Sequence, residues 1–463
     1  HGMDIIIFTD VSYALGIGRA GGAYRIATEL RDEGYTVQVI DFLTSYSEEQ
    51  INKLCQKFIT KETIWVGVSM SLIVSDERKQ PWVRYDLEPI KKILETIKSH
   101  NKPLVIGGAG ATKYSDIADY VVTGQAEESI LDFTFKLQNK YIPGSVVSEI
   151  PFNDFSSTKI KWHETDFIFP GEHLPIETAR GCVFKCSFCS FSLNGKKRGD
   201  YNKHPLILKE ELLHNYEEYK TVGYLISDDT YNDSIEKVED YHKVMSNLPF
   251  QIEFSSFARL DIIANNREMI RLLYESGLRS VFFGIETFHK TAGKYIGKAM
   301  DSEKLKDTLY EIKDTCPDLL LTAAFIVGLP GEPWSSIEKT IEWLQEKNCP
   351  IDSYILNPLI DTGDSKFTHN PEKYGMAYDE NGWYHDIMNE ADAQNFVDGI
   401  RSDKKFETRN LLGYFSYFSR LRNLGYSIDD IKNLKKSNIK EIEKCQQKAN
   451  DMITTYYHNL ESL

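Results

Sequence analysis

Three cysteines lie close together in the chain, at Cys182, Cys186 and Cys189, in the spacing C-x3-C-x2-C. Three thiolates can hold a four-iron cluster and leave one iron open to a substrate or cofactor, just as a catalytic zinc keeps an open position. A ferredoxin would supply four cysteines. A structural zinc site would need a fourth ligand, for which His204 could serve. The short spacing favours a catalytic 4Fe–4S cluster over structural zinc.

The cysteine segment follows the first of six β-rich runs that alternate with helical stretches such as Ser234–Met245 and Ser335–Glu346. Such alternation predicts a partial (β/α)6 barrel of the TIM type over residues 173–360. Catalytic groups of such barrels lie at the carboxyl ends of the strands. The predicted strands are Ile176–Thr178, Tyr224–Ser227, Glu253–Phe257, Ser280–Ile285, Leu320–Val327 and Tyr354–Pro358.

Residues 3–138 show a second alternating series, which predicts a doubly wound, Rossmann-like α/β domain. We interpret residues 139–172, with Pro143, Pro151 and Pro170, as a linker. Residues 361–463 are predicted to be a mainly helical substrate-binding or capping region that closes the open side of the barrel. The predicted strands of the first domain are Asp4–Phe8, Thr36–Ile40, Ile64–Ser69, Leu104–Gly107 and Tyr120–Val122, with helices at Gly22–Asp32 and Leu87–Ser99.

The composition narrows the class of protein. The formal net charge of −15 disfavours a nucleic-acid partner, because such binding depends on clustered Lys and Arg. No apolar run approaches the roughly 20 residues that a membrane span needs. With the first two residues taken as a tag remnant, nothing after Met3 resembles a signal peptide, and we expect a cytoplasmic protein. The other cysteines are expected to be buried thiols, with Cys316 and Cys349 the candidates for radical quenchers.

A glycine motif in the first domain raises a dinucleotide-binding alternative. Gly16-Ile-Gly-Arg-Ala-Gly21 matches G-x-G-x-x-G, and Asp41 follows twenty residues after Gly21. The first glycine, however, falls about eight residues after the predicted strand, whereas the fingerprint needs its tight turn at the strand end. The spacing therefore disfavours NAD.

On these residues, the chain resembles the radical S-adenosylmethionine (SAM) superfamily, whose motif is C-x3-C-x-aromatic-C. The resemblance covers roughly residues 173–360. It implies that the cluster binds and reductively cleaves SAM to a 5′-deoxyadenosyl radical, and that Phe188 lies against adenine. It also implies a reducing donor of the flavodoxin or ferredoxin type.

Further SAM contacts are implied at the carboxyl ends of later barrel strands. Asp228 and Asp229 would lie near the SAM amino group, with a helix N-cap as the alternative. Arg259 would pair with the SAM carboxylate, with a surface ion pair as the alternative. The remaining implied contacts are Gly284, Glu286 and Gly328.

Residues 3–138 resemble the cobalamin-binding domain that precedes the barrel in one class of the superfamily. The D-x-H-x-x-G loop that supplies an axial histidine to cobalt is absent, because the corresponding stretch reads Thr9-Asp-Val-Ser-Tyr-Ala-Leu-Gly16. Any cobalamin would therefore bind without that histidine. Small residues after the strands would let cobalamin approach the backbone: Ser69, Ser71, Gly107, Gly108 and Gly124.

Together these features predict a cobalamin-dependent C-methyltransferase. The alternative is a cobalamin-independent radical SAM enzyme that uses the first domain as a scaffold for dehydrogenation, rearrangement, epimerisation or sulfur insertion. A non-catalytic iron–sulfur or zinc module is the remote alternative. The expected substrate is a small molecule, a lipid or a peptide. Four aromatic residues after the barrel could line its pocket, although helical spacing favours core packing for the last two: Trp383, Tyr384, Tyr414 and Phe415.

Overall fold

The structure is a computed structural model that describes residues 2–11, 15–70, 88–140, 146–148, 155–191, 193–361, 363–406 and 414–463. The chain forms two compact units. The first comprises His1–Ile176, His214–Thr221 and Glu443–Leu463, and the second comprises Glu177–Leu213 and Val222–Ile442.

The described part of the first unit contains a six-stranded parallel sheet, with strands β1 (Ile5–Phe8), β2 (Val37–Ile40), β3 (Trp65–Ser69), β4 (Leu104–Gly107), β5 (Tyr120–Gly124) and β6 (Val146–Ser148). Its helices are α1 (Gly21–Asp32), α2 (Glu48–Phe58), α3 (Glu88–Lys98) and α4 (Ser129–Gln138). The strand order is β2-β1-β3-β4-β5-β6. The order reverses between β1 and β3, which is the switch point at which open α/β sheets bind ligands. This sheet confirms the predicted doubly wound domain.

Local sequence accounts for these elements. All four residues of β1 are apolar and buried, as expected for a strand covered on both faces. Helix α2 begins with a capping box, in which Ser47 and Gln50 satisfy each other's backbone N–H groups. Glu48 and Glu49 follow in its first turn, where negative charge favours the helix dipole.

The compact units divide the chain differently from the predicted boundaries. The predicted linker contains β6 and contributes buried Asp166 and Glu172 to the first unit. The chain end also belongs to this unit, where the Tyr456 hydroxyl accepts a hydrogen bond from the Asp41 N–H at 3.1 Å. Buried polar groups therefore attach the end of this segment to the first unit, although the segment shows little periodicity.

The glycine motif has a structural role in this unit. Arg19, within the motif, is fully buried in an ion pair with Glu172, at 2.7 Å from Nε to Oε1. The same guanidinium donates to the Tyr24 hydroxyl at 2.9 Å, and that hydroxyl donates to Asp41 at 2.6 Å. Because Asp41 is buried and already bonded, its carboxylate is not exposed to a ribose. The structure therefore opposes the dinucleotide alternative.

A second parallel sheet carries β7 (Leu174–Ile176), β8 (Gly223–Ile226), β9 (Glu253–Ala258), β10 (Leu278–Glu286), β11 (Leu320–Val327) and β12 (Ser353–Pro358). The described strands are ordered β12-β11-β10-β9-β8-β7. Chain order is thus kept across the sheet, as in a partial β/α barrel. The helices between the strands are α5 (Pro205–Tyr219), α6 (Ile235–Met245), α7 (Leu260–Asn265), α8 (Glu268–Ser276), α9 (Lys290–Ile296), α10 (Ser302–Thr315) and α11 (Trp334–Gln345).

The segment after β12 is mostly helical, as predicted, but it includes a hairpin that the sequence did not indicate. The short strands β13 and β14 pair antiparallel, with Tyr378 opposite Trp383. The described elements are α12 (Lys366–His369), β13 (Ala377–Asp379), β14 (Gly382–Tyr384), α13 (Glu390–Ser402), α14 (Tyr414–Arg422), α15 (Ile428–Asn433) and α16 (Ile439–Ser462). Among the described residues, no helix is long and apolar enough to cross a membrane.

Candidate functional site

The three motif cysteines lie on the loop after β7, and all three are partly exposed. The remaining four cysteines of the chain are buried. This contrast separates thiols that a cofactor can reach from thiols that fill the core.

Each motif thiol has a hydrogen-bonding partner. The Asn194 side-chain amide donates to the Cys189 sulfur at 3.0 Å. The Thr230 hydroxyl lies 3.4 Å from the sulfur of Cys182. The Arg259 guanidinium donates to the Cys186 sulfur at 3.6 Å. Hydrogen bonds to ligand sulfurs tune the potential of an iron–sulfur cluster, so this donor set fits a bound cluster.

A single-metal site needs its ligands grouped around one point. Within the described ranges, no three His, Cys, Asp or Glu side chains are grouped to hold one metal ion. The thiolates of a four-iron cluster bind different iron atoms, so they need not converge on one point. His204 is exposed, and its Nδ1 accepts the Leu206 N–H at 3.1 Å at the start of α5. This hydrogen bond engages one of the two ring nitrogens through which His204 could serve as a fourth zinc ligand.

Two glycines close the cysteine loop on itself. Gly181 has a φ of +73°, and a Cβ there would lie 2.6 Å from the Leu193 carbonyl oxygen. Gly195 has a φ of +76°, and a Cβ there would collide with the side chain of Lys185. Only glycine combines this backbone conformation with such close contact.

Asp228 ties the start of the loop to the next strand. Its Oδ1 accepts the backbone N–H groups of Thr178 at 2.7 Å and Ala179 at 3.0 Å. Its Oδ2 accepts the Thr178 hydroxyl and, at 2.8 Å, the buried Lys237 ammonium. Ser234, rather than Asp228, caps α6. The structure therefore gives Asp228 a loop-anchoring position, and its contact with SAM stays a prediction.

Asp229 is partly exposed, whereas its neighbour Asp228 is buried. Burial raises the pKa of Asp229, and the nearby carboxylates of Asp228 and Glu177 raise it further. A carboxyl group of raised pKa beside the cysteine loop is suited to meeting a cation such as the SAM amino group. Its contact with SAM likewise remains a prediction.

Arg259 is engaged on three sides. It makes a two-pronged ion pair with Asp261, at 2.9 and 2.6 Å, and its guanidinium stacks 3.8 Å from the Phe184 ring centre. Its backbone N–H and C=O both bond to the Asn232 side chain. The Arg259 side chain is 7% exposed and that of Asp261 24%, so the structure shows an ion pair that is largely buried. In this structure the guanidinium supports the Cys186 sulfur, and a pairing with the SAM carboxylate is untested.

Lys298, which the sequence did not suggest, contacts three of the predicted site residues: Phe188, Gly284 and Glu286. Lys298 donates to the Gly284 carbonyl at 2.6 Å and to Glu286 Oε1 at 3.2 Å. The same ammonium lies 5.7 Å from the centre of the Phe188 ring. Lys298 follows no recognisable motif, so only its position reveals it.

Glu286 ends β10 in a strained conformation. Its φ is +69°, and the register with β11 shifts between Gly284 and Glu286. A Cβ at Gly284 would lie 2.5 Å from Glu286 Oε1, so the missing side chain makes room for this carboxylate. Strain of this kind costs on the order of 1–3 kcal/mol and is concentrated at functional sites.

Gly328 directly follows β11 and lies against the ring of Trp383. Its φ is +111°, and a Cβ there would collide with the indole ring of Trp383. The Trp383 indole N–H donates to the Leu359 carbonyl at 2.8 Å, and the ring stacks on His385 with centres 5.5 Å apart. Trp383 is 2% exposed and Tyr384 43%. Nothing is described of the Tyr414 and Phe415 side chains.

Glu332 lies buried after β11. Its Oε1 accepts the Ser336 hydroxyl at 2.9 Å, and burial raises its pKa to about 7. Because the folded-state pKa exceeds that of the unfolded chain, this group's contribution to stability is full below about pH 4.5 and is lost as pH rises through about 7.

Above pH 7 the buried carboxylate of Glu332 should lower the free energy of unfolding by up to about 3 kcal/mol, and we expect Glu332→Gln to abolish this effect. The variant should match the parent near pH 5 and exceed it in free energy of unfolding at pH 8, measured by urea denaturation. An advantage of the variant that shrinks as the pH rises would contradict the assignment. Glu338→Gln, at an exposed position of α11, serves as the control.

Cys316 and Cys349 lie at the amino ends of two strands of the second sheet, opposite the cysteine loop. Cys316 caps the end of α10 shortly before β11 begins, and Cys349 shortly precedes β12. Both are buried, and burial raises the pKa of the Cys316 thiol to about 11. The amino ends of strands are remote from the predicted chemistry, so the position favours packing over radical quenching.

The small residues predicted to meet cobalamin follow adjacent strands of the first unit. Ser69, Gly107 and Gly108 are partly exposed, and Gly124 is exposed. Gly108 and Gly124 have φ values of +98° and +79°. The carboxyl ends of β3, β4 and β5 therefore present open backbone at one edge of the sheet. Ser71 lies outside the described residues.

Among sequence relatives, the chain is 25% identical over 249 residues to an uncharacterized methyltransferase of Pyrococcus horikoshii, covering 52% of each chain. It is 25% identical over 311 residues to the ribosomal protein uS12 methylthiotransferase RimO of Vibrio vulnificus, covering 59% of this chain and 61% of the relative. The chain thus spans about half to three fifths of these relatives.

Two cobalamin-containing structures share the fold. The radical SAM methyltransferase TsrM from Kitasatospora setae, with cobalamin and a [4Fe-4S] cluster bound, matches with a TM-score of 0.68 and 14% identity, covering 97% of this chain and 100% of TsrM. The cobalamin-dependent radical enzyme OxsB, with aqua-cobalamin bound, matches with a TM-score of 0.62 and 13% identity, covering 97% and 72%.

The radical SAM superfamily matches residues 176–344, which contain the three motif cysteines and four of the six barrel strands in full, β8 to β11. Such a domain implies a 4Fe–4S cluster and SAM as cofactors. By this match, residues 176–344 are similar to the radical SAM superfamily.

Proposed function

We propose that this chain is a radical SAM methyltransferase that acts on carbon and uses cobalamin held by its first unit. The observation that carries the proposal is the cysteine loop, with three partly exposed thiols that each meet a hydrogen-bonding group. When bound, the cluster, SAM and cobalamin supply an electron, a 5′-deoxyadenosyl radical and a methyl group.

The chain's own residues hold and orient these groups. Cys182, Cys186 and Cys189 bind the cluster, while Asp228 and Arg259 keep the loop in place. Phe188, Gly284 and Glu286 form one side of the SAM site, where Lys298 fixes the Glu286 carboxylate. Asp229 and Gly328 complete the proposed SAM contacts.

The first unit supports the cobalamin part of the proposal. Ser69, Gly107, Gly108 and Gly124 leave the carboxyl ends of three adjacent strands open to a large flat ligand. His100 shortly precedes β4, and its Nε2 lies 2.9 Å from the Asn52 side-chain oxygen. It therefore lies toward the opposite edge of the sheet, and cobalamin would bind without this histidine. The cobalamin bound by TsrM and OxsB, which share this fold, agrees with this proposal.

The first test is anaerobic reconstitution with iron, sulfide and hydroxocobalamin, followed by SAM and a strong reductant. We expect 5′-deoxyadenosine together with S-adenosylhomocysteine, quantified by mass spectrometry. Only 5′-deoxyadenosine, with no cobalamin absorbance after desalting, would instead support the cobalamin-independent alternative. Neither product from protein that holds its cluster, even with candidate substrates added, would overturn the proposal.

Gly107→Val tests the cobalamin site itself. A Cβ at Gly107 has room, since its nearest neighbour would be the Val122 carbonyl oxygen at 3.8 Å, so the strand should tolerate valine. The added side chain at the strand end should reduce cobalamin retained after desalting by at least about tenfold, equivalent to about 1.4 kcal/mol. Gly22→Ala, where a Cβ meets nothing within 4 Å, is the control and should keep full retention. Equal retention by both variants would refute this binding edge.

A further inference from the structure

The second sheet has one face that is partly open. In parallel strands, residues paired in register point to the same side. Leu225 pairs with Ser255, Phe282 with Phe257, and Ile326 with Asn357. Following the register across β8 to β12 assigns eight partly exposed residues to one face: Leu225, Glu253, Phe257, Phe282, Gly284, Ile326, Ile355 and Asn357.

The opposite face is closed. Phe254, Val281, Ala323 and Tyr354 are all 0% exposed. The first of these contacts Tyr231, which lies between β8 and α6. The partly open face is therefore the inner face of the barrel, and the exposure of its side chains marks space inside.

The floor of this space is closed at the amino ends of the strands. Arg422 of α14 pairs with Glu253, the first residue of β9, at 2.8 Å. Ser255, Ser280 and Thr322 lie above it on the same face, fully buried. Among the described residues their hydroxyls have no hydrogen-bond partner. The open part of the face thus begins at the level of Phe257 and Phe282.

The side chains that line the open part above Glu253 are uncharged. Phe257 and Phe282 meet edge to face, with ring centres 4.9 Å apart. Asn357 is the polar side chain among them, and its Oδ1 accepts the Arg401 guanidinium at 2.9 Å. A charged group placed against the two phenyl rings would lose its hydration without gaining a partner from them, whereas apolar surface gains from burial.

We propose that the inner face of the barrel binds the uncharged, hydrocarbon part of the substrate. This inference rests on the proposed function and extends it to the substrate class. Any charged part of the substrate lies outside this wall, toward the carboxyl ends of the strands.

The test uses the full chain without its cluster and an uncharged fluorescent probe, N-phenyl-1-naphthylamine. We expect saturable binding of one probe per chain. Ala324 lies on the same face, in register with Gly284 and Ile355. Ala324→Phe should fill the space and weaken probe binding about tenfold, which corresponds to about 1.4 kcal/mol. Phe191→Ser, at a side chain 64% exposed, is the control and should bind as the parent does.

A second variant and a second probe keep the test decisive. Ile355→Thr, a smaller and more polar wall residue, should weaken probe binding several-fold even if Ala324→Phe does not fold. The anionic probe 8-anilinonaphthalene-1-sulfonate should bind the parent about tenfold more weakly than the neutral probe. Equal binding of the two probes, or no effect of a folded wall variant, would overturn the inference. If the cluster-free chain bound the probe but the reconstituted chain made no 5′-deoxyadenosine, the proposed function would be wrong and the apolar binding site would stand.

Discussion

Replacement of Cys186 by alanine is expected to abolish formation of 5′-deoxyadenosine and to lower iron binding well below the roughly four atoms per chain of a 4Fe–4S cluster. A cluster that loses one of three thiolate ligands is no longer held in a defined orientation. The sulfur of Cys186 is also the one that receives the Arg259 guanidinium, so its removal leaves that cation without this acceptor. Iron analysis measures the iron content, electron paramagnetic resonance reports the state of the cluster, and mass spectrometry measures 5′-deoxyadenosine.

The matched control is Cys316→Ala, at a buried thiol outside the motif. It removes the same atoms and should cost stability through a small cavity, while iron content and 5′-deoxyadenosine formation per folded chain stay unchanged. If both variants lost iron equally, the loss would reflect unfolding. If Cys186→Ala kept its cluster and its product, the ligand assignment would be wrong.

Asp228→Ala is expected to destabilise the chain by about 3–5 kcal/mol, because it leaves the Lys237 ammonium buried without its carboxylate. Both side chains of this pair are 1% exposed. The same change removes the acceptor for the Thr178 and Ala179 N–H groups, so the cysteine loop should lose its attachment to the strand end. Chemical denaturation and iron content after reconstitution report the two consequences separately.

The double variant Asp228→Ala/Lys237→Met separates charge from anchoring. Removing both partners eliminates the buried cation, so much of the lost stability should return. Iron binding should stay low, since the backbone N–H groups still lack an acceptor. Full recovery of iron binding would show that Asp228 acts only by neutralising Lys237.

Local and distant interactions leave different traces in the sequence. β11 has its predicted bounds of Leu320–Val327, because a run of eight residues, seven of them apolar, that ends before Gly328 is a local signal. Residues 139–172 lack such a signal, and Glu172 in this segment is held by Arg19 across 153 positions of sequence. Partners at such separations leave no periodic trace, so pattern reading misses them.

The cluster motif, the two alternating α/β series and the absence of the cobalt-binding histidine loop can be read from the chain alone, since each depends on residue type and short spacing. The contacts of the individual polar groups became visible only in the folded chain. It placed Asp228 against Thr178, fifty positions away, and paired Arg259 with both Asp261 and a cysteine sulfur. It also brought Lys298 to Glu286 and Phe188, and left one face of the barrel sheet partly open. The physical reason is that hydrogen bonds and burial depend on distance in space, which the chain sets only once its strands have paired.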